Sequence, residues 1–194
     1  DRLLYNGMKE TYVKQISFPK INSSGMEIIL EYAYTGSIKE ESLTKDNIVE
    51  AFYAADYFQL SNLQDFIIKT VKIILEKNYS ENYSPELLSK IADIMPLSED
   101  NALSNLLVEA VSAIPLNTIE SGRLSIPGLR YFLSCTYEKE ELFVTPEYEV
   151  FRYSAILAAK QVSNDAHIAI MNRLPTLEQI KNSIEVEGDN TVII

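Results

Sequence analysis

Signals that start and stop helices recur along this chain at short intervals, and they leave room for little besides short helices. Ser24 and Glu27 have the spacing of a capping box, in which hydroxyl and carboxylate each satisfy a free backbone N–H. Met26, Ile29, Leu30 and Ala33 then share one helical face, and Gly36 suits the left-handed position that follows a helix. A second helix is expected over Lys45 to Phe58, with Ile48, Phe52 and Ala55 as its apolar stripe. A third starts at Ser61, with Gln64 completing another box and Leu63, Ile67, Thr70 and Ile74 turned inward. Ahead of these, Ile16 and Phe18 alternate with polar residues up to Pro19, the pattern of a short strand. Ser37 to Lys39 reads as another short extended piece.

The run EKNYSENY, Glu76 to Tyr83, carries no periodicity and marks the candidate boundary between two domains, 1–78 and 79–194. Beyond it the reading is helical throughout. Ser84-Pro85 is an N-cap followed by proline at the first helical position, where a missing N–H costs nothing. Leu87, Leu88, Ile91, Ala92 and Met95 follow at core spacing until Pro96. Ser98 caps the next helix, with Leu103, Leu106, Leu107, Ala110, Val111 and Ile114 inward, ending before Pro115. A shorter helix covers Gly128 to Ser134. Thr145-Pro146 opens another, carrying Val150, Phe151, Ser154, Leu157 and Ala158, and Thr176 with Gln179 caps a last one. The tail from Asn164 is otherwise uninformative. Short helices joined by short polar turns pack as antiparallel pairs or a small solenoid.

Composition narrows the function. Across 194 residues, 46% are hydrophobic and 23% charged, enough apolar content for a real core. The net charge of -11 disfavours a nucleic acid or an anionic membrane, since both would be repelled over most of the surface. The single cysteine, Cys135, cannot form an internal disulfide, which fits a reducing compartment, cytoplasm or nucleus. It reads as a small apolar residue beside Leu133. No stretch reaches the length of a transmembrane helix. Asp1 to Leu4 reads as the middle of a helix and Thr191 to Ile194 as the start of a strand, so the chain reads as a segment of a longer protein.

Enzyme chemistry finds little support. There is no glycine-rich phosphate loop, and one histidine with one cysteine is too few for a metal cluster, so neither cofactor nor metal is expected. His167 beside Asp165 reads as a solvated pair. Asn-x-Ser matches at Asn22, Asn78 and Asn82 read as capping serines rather than glycosylation sites.

Three blocks carry a family resemblance. Asn6-Gly7-Met8-Lys9-Glu10 is followed by Leu30-Glu31-Tyr32-Ala33-Tyr34-Thr35-Gly36 and then by Ala54-Ala55-Asp56-Tyr57-Phe58-Gln59-Leu60. In this order and at these intervals they resemble the C-terminal half of a BTB/POZ domain. The rest is similar to a BACK domain, through Leu129 to Ser134 and through Leu142-Phe143-Val144-Thr145-Pro146-Glu147 with Val150-Phe151. Here Thr145-Pro146-Glu147 stands where that family has serine-glutamate, and the family's helix tryptophan is absent. The resemblance implies a mainly α chain: the C-terminal part of an α/β BTB/POZ domain, with short strands plus helices, then an all-α BACK helical domain. It implies that the strands and helix supplying most of a homodimer interface precede Asp1.

What the family does is then an expectation for this chain. BTB–BACK proteins of the Kelch-like type bind cullin-3 and present a substrate protein through a further domain, here outside the chain. Their cullin contact is a hydrophobic-x-Glu motif, matched by Met8-Lys9-Glu10. An unbranched thioether fills an irregular pocket and a carboxylate adds orientation. Tyr57, Phe58 and Asn62 match the second contact region. Adjacent aromatics on a helix point about 100° apart, so at least one of Tyr57 and Phe58 should be partly exposed. The helix pair Ser84 to Ile114 corresponds to a further cullin-contacting element. The expected role is a non-enzymatic ubiquitin-ligase adaptor. The alternative is a BTB scaffold for transcriptional repression or structural assembly without cullin. The flanking sequence separates them: a zinc-finger array favours repression, a Kelch propeller the adaptor.

Overall fold

The computed structural model describes residues 17–77, 82–94, 102–137 and 144–189, with backbone alone for Lys77 and 184–189. Helices dominate, and no strand occurs among the described residues. The expected strand at 16–18 is not formed in its described part. Pro19 instead places Phe18 in a turn, closed by the Ile21 N–H to the Phe18 carbonyl at 3.0 Å. Ser37 to Lys39 is irregular and makes no ladder. The chain divides into two compact units, Asp1–Thr70 and Val71–Ile194.

In the first unit, α1 (Ser23–Thr35) packs on α2 (Ile48–Tyr57). The cap of α1 is Asn22, not Ser24. Asn22 is the residue still in extended backbone, and its Oδ1 accepts the Gly25 N–H at 2.8 Å, while Ser24 already lies in the first turn. The buried face is also rotated from the expected one. Gly25, Ile28 and Ile29 face inward, whereas Leu30 is 47% exposed and Ala33 is exposed. Close approach sets that rotation: a Cβ on Gly25 would stand 2.7 Å from the Glu50 carbonyl oxygen and 3.2 Å from the Ala54 Cβ. Gly36 takes the expected left-handed turn, with φ 73° and its N–H on the Tyr32 carbonyl.

Helix α2 is shorter at its start than expected, because Asn47 organises the preceding turn. Its Oδ1 accepts the Thr44 N–H at 2.8 Å and its Nδ2 donates to the Ser42 carbonyl at 2.9 Å. Ile48, Phe52 and Ala55 are buried as expected, joined by Val49, Ala51 and Ala54. The third helix, α3 (Ser61–Lys77), begins where anticipated and buries Leu63, Ile67 and Thr70, with Ile74 half-buried. Gln64 does not serve as the expected box partner of Ser61; its Nε2 donates to Asp56 Oδ1 at 2.9 Å.

The second unit is a run of helices: α4 (Ser84–Ile94), α5 (Ala102–Ser112), α6 (Ile126–Thr136), α7 (Glu147–Val162), α8 (Asn164–Arg173) and α9 (Leu177–Asp189). A 3₁₀ turn at Leu116–Thr118 follows α5. Helix α4 packs on α5 and α6, and α7 packs on α8. Leu88, Leu103, Leu107, Leu116, Leu124 and Phe132 are fully buried.

Several caps in this unit differ from expectation. Ser84 is already helical and buried, and Asn82 Oδ1 accepts its N–H at 2.9 Å, so the capping group is an asparagine two residues earlier. Helix α6 extends beyond Gly128 to Ser134 at both ends, because Ser125 caps it by accepting the Gly128 N–H and Pro127 fits its first turn. Helix α7 opens after Thr145-Pro146 as expected, with Pro146 at its N-cap and Thr145 just ahead. Thr145 is buried, and its Oγ1 accepts the Leu116 N–H at 3.0 Å, tying the approach to α7 onto the 3₁₀ turn. The inward face of α7 is Glu149, Tyr153 and Leu157, while Phe151 is 59% exposed. Thr176 and Gln179 form the expected reciprocal box, at 2.8 and 3.2 Å. Helix α8, absent from the sequence reading, is capped by Ser163 on the Ala166 N–H.

Candidate functional site

The expected partner-binding residues divide into two groups. Met8 and Glu10 lie outside the described residues. Tyr57, Phe58 and Asn62 stand at the corner where α2 ends and α3 begins. Tyr57 is the last residue of α2 and 48% exposed, Phe58 is half-buried, and Asn62 is exposed in the first turn of α3.

A complete helix stop fixes this corner. Gln59 adopts φ 57°, the left-handed conformation, and is the sole non-glycine residue to do so among those described. Its N–H bonds the Asp56 carbonyl at 2.9 Å, and the Leu60 N–H reaches back to the Ala55 carbonyl at 2.8 Å. That pair of bonds is the Schellman arrangement, which normally uses glycine at the left-handed position. Leu60 then opens α3, its carbonyl accepting from Leu63 and Gln64. The Gln64 to Asp56 side-chain bond bridges the same corner. The aromatic pair is therefore carried on backbone held from both sides.

A third ring completes the group. Phe18 meets Tyr57 edge-on, with centroids 6.4 Å apart and planes at 81°. It meets Phe58 at 5.3 Å and 71°, and Tyr57 and Phe58 meet at 5.2 Å and 82°. Edge-to-face packing sets the positive rim of one ring against the negative face of another. Sequence reasoning placed Phe18 on a strand and gave it no part in the site. The signal that could have found it is Pro19 with the Asn22 cap, which turns the chain back toward α2.

The second unit holds a separate groove of about 670 Å³. Leu75, Leu106, Ala110 and Ala113 give it an apolar floor, and Lys72, Glu76 and Glu109 stand along its rim. It includes α5 of the pair Ser84 to Ile114, for which no individual residue was expected. Elsewhere in this unit Arg123 forks onto Glu86 through Nε and Nη2 and also donates to the Asn82 carbonyl, holding the entry to α4.

Other candidates from the sequence have ordinary surroundings. His167 lies within α8, its N–H on the Ser163 carbonyl, and Asp165 is exposed two positions earlier. Cys135 is half-buried in α6. Among the described residues no group of three or more His, Cys, Asp or Glu side chains is placed to hold a metal ion. None of the described helices is long and apolar enough to cross a membrane. Asn22 and Asn82 spend their side-chain oxygens on backbone N–H groups, so the asparagines, not the serines after them, do the capping.

Residues 1–73 match the BTB/POZ domain family. Over 60 residues the chain is 35% identical to Kelch repeat and BTB domain-containing protein 8 of Xenopus tropicalis, covering 31% of this chain and 9% of that protein. Over 152 residues it is 26% identical to Kelch-like protein 6 of Homo sapiens, covering 75% of this chain and 22% of that protein. The chain thus spans less than a quarter of either relative's length. No solved structure matches it.

Proposed function

We propose, from the BTB/POZ match over residues 1–73, that this chain is the interaction part of a non-enzymatic adaptor linking a substrate protein to a cullin-3 ubiquitin ligase. The carrying observation is the aromatic corner, where Tyr57 is half-exposed on a backbone locked by two hydrogen bonds of a Schellman stop. A rigid, partly exposed tyrosine supplies contact area with little side-chain entropy to lose, which is what an interface anchor requires. In this reading Met8 adds an apolar knob, Glu10 a carboxylate, and Asn62 a polar contact at the rim. Residues 79–194 are read as a BACK-like helical domain, and the groove floored by Leu75, Leu106, Ala110 and Ala113 as a second contact for the same partner. The substrate is held by a domain outside this chain, and the adaptor acts as a dimer in the cytoplasm or nucleus.

Calorimetry of the intact protein against the N-terminal helical domain of cullin-3 tests this directly. The expected result is saturable binding, weakened roughly tenfold or more by Met8→Lys or by Glu10→Lys. A folded intact protein that releases no heat and shows no saturation rejects the cullin link and favours a scaffold role.

A further inference from the structure

We propose that Phe18 is a positioning residue of the partner surface: its ring, delivered from the turn ahead of α1, sets the orientation in which Tyr57 meets the partner. This rests on the reading of Tyr57 as an interface anchor and adds a residue that the family motifs do not mark.

Phe18 is neither in the buried core nor on a helix. It is half-buried, and it makes edge-on contacts with both Tyr57 and Phe58. A ring that only filled space would be expected inside, among aliphatic neighbours. Instead the three rings form a closed set of mutually tilted contacts, with interplanar angles between 71° and 82°. Such a set leaves Tyr57 with neighbours on two sides and solvent on another.

Phe18 is itself well anchored. Its carbonyl accepts the Ile21 N–H at 3.0 Å, Pro19 restricts the turn, and Asn22 caps α1 by accepting the Gly25 N–H. Gly25 in turn lies against the Glu50 carbonyl and Ala54 of α2. The rings therefore arrive from two elements whose relative placement is fixed by backbone contact. A side chain pre-set in its bound orientation loses less freedom on association, so truncating the ring behind it weakens binding without removing any partner contact.

A double-mutant cycle on the intact protein, read as Kd for the cullin-3 N-terminal domain, tests this. Phe18→Leu is expected to weaken binding about three- to tenfold, the range an aromatic pair contributes. In a Tyr57→Ala background the same change should alter Kd less than about twofold. Phe18→Tyr, which keeps the ring, should restore binding in the Tyr57 protein. All variants are compared at a temperature where thermal unfolding shows each fully folded, which removes a purely structural effect. If Phe18→Leu leaves Kd unchanged while Tyr57→Ala weakens it, the inference fails and the anchor reading stands. If Phe18→Leu weakens binding equally with and without the Tyr57 ring, Phe18 acts by another route and the inference also fails. Should the unsubstituted protein not bind at all, both readings fall.

Discussion

At the scale of single residues, two positions stand out because they break ordinary rules. Gln59 holds a left-handed backbone that glycine adopts without penalty, and among the described residues its side chain has no hydrogen bond that would explain the choice. Gln59→Gly is expected to raise unfolding stability by about 0.5–1 kcal/mol, read from the denaturant midpoint at unchanged slope. A lower midpoint would mean that the Gln59 side chain contributes more than its backbone costs. Tyr153 is the second. Its hydroxyl is buried with no hydrogen-bond partner among the described residues, and burial pushes its pKa up to about 12, opposed by the charge of Arg123. The unfolded chain releases this proton near the usual tyrosine value of about 10. Folding therefore keeps its full benefit from Tyr153 below about pH 10 and loses it progressively as pH climbs toward about 12. Tyr153→Phe should flatten that alkaline decline in the thermal midpoint. An unchanged decline would show that the phenol is not the group responsible.

Helices were largely legible in the sequence, and their faces and ends were less so, for reasons tied to particular residues. At some local caps the reading holds, as where Gly36 turns left-handed and Thr176 with Gln179 closes a reciprocal box, although Asn22 and Asn82 displace Ser24 and Ser84 at α1 and α4. Where a tertiary partner takes the capping group, it does not hold. Gln64, expected to box with Ser61, turns to Asp56. Helix faces slipped because close approach, not apolar spacing alone, sets rotation. Gly25 draws α1 onto α2 and leaves Leu30 outside. In the second unit Gly128 has the same role. A Cβ there would stand 2.8 Å from Ser89 Oγ and 3.0 Å from its Cα. That hydroxyl accepts the Ser125 N–H at 2.9 Å and donates to the Pro85 carbonyl, joining α6 to α4. Gly128→Ala should therefore destabilise by about 1–3 kcal/mol, the usual cost of overpacking, against the gain expected at an open helix position. Equal or greater stability would show that the two helices can separate cheaply.

Across the chain as a unit, the sequence reading anticipated the family resemblance but not the full aromatic corner. The BTB/POZ resemblance, drawn from three short blocks, agrees with the family match over residues 1–73. That at least one of Tyr57 and Phe58 would be partly exposed was legible, because neighbouring helix positions diverge. Phe18 was not, since its contribution depends on a turn that brings distant chain back to α2. In the proposed function this corner faces a partner and does not complete a core. The Kd of the intact Tyr57→Ala protein for the cullin-3 N-terminal domain, measured beside its thermal midpoint, separates the two roles. Binding weakened by roughly tenfold or more, with a midpoint close to that of the unsubstituted protein, is expected of a partner surface. A large fall in the midpoint with unaltered affinity would mean that the corner belongs to the core.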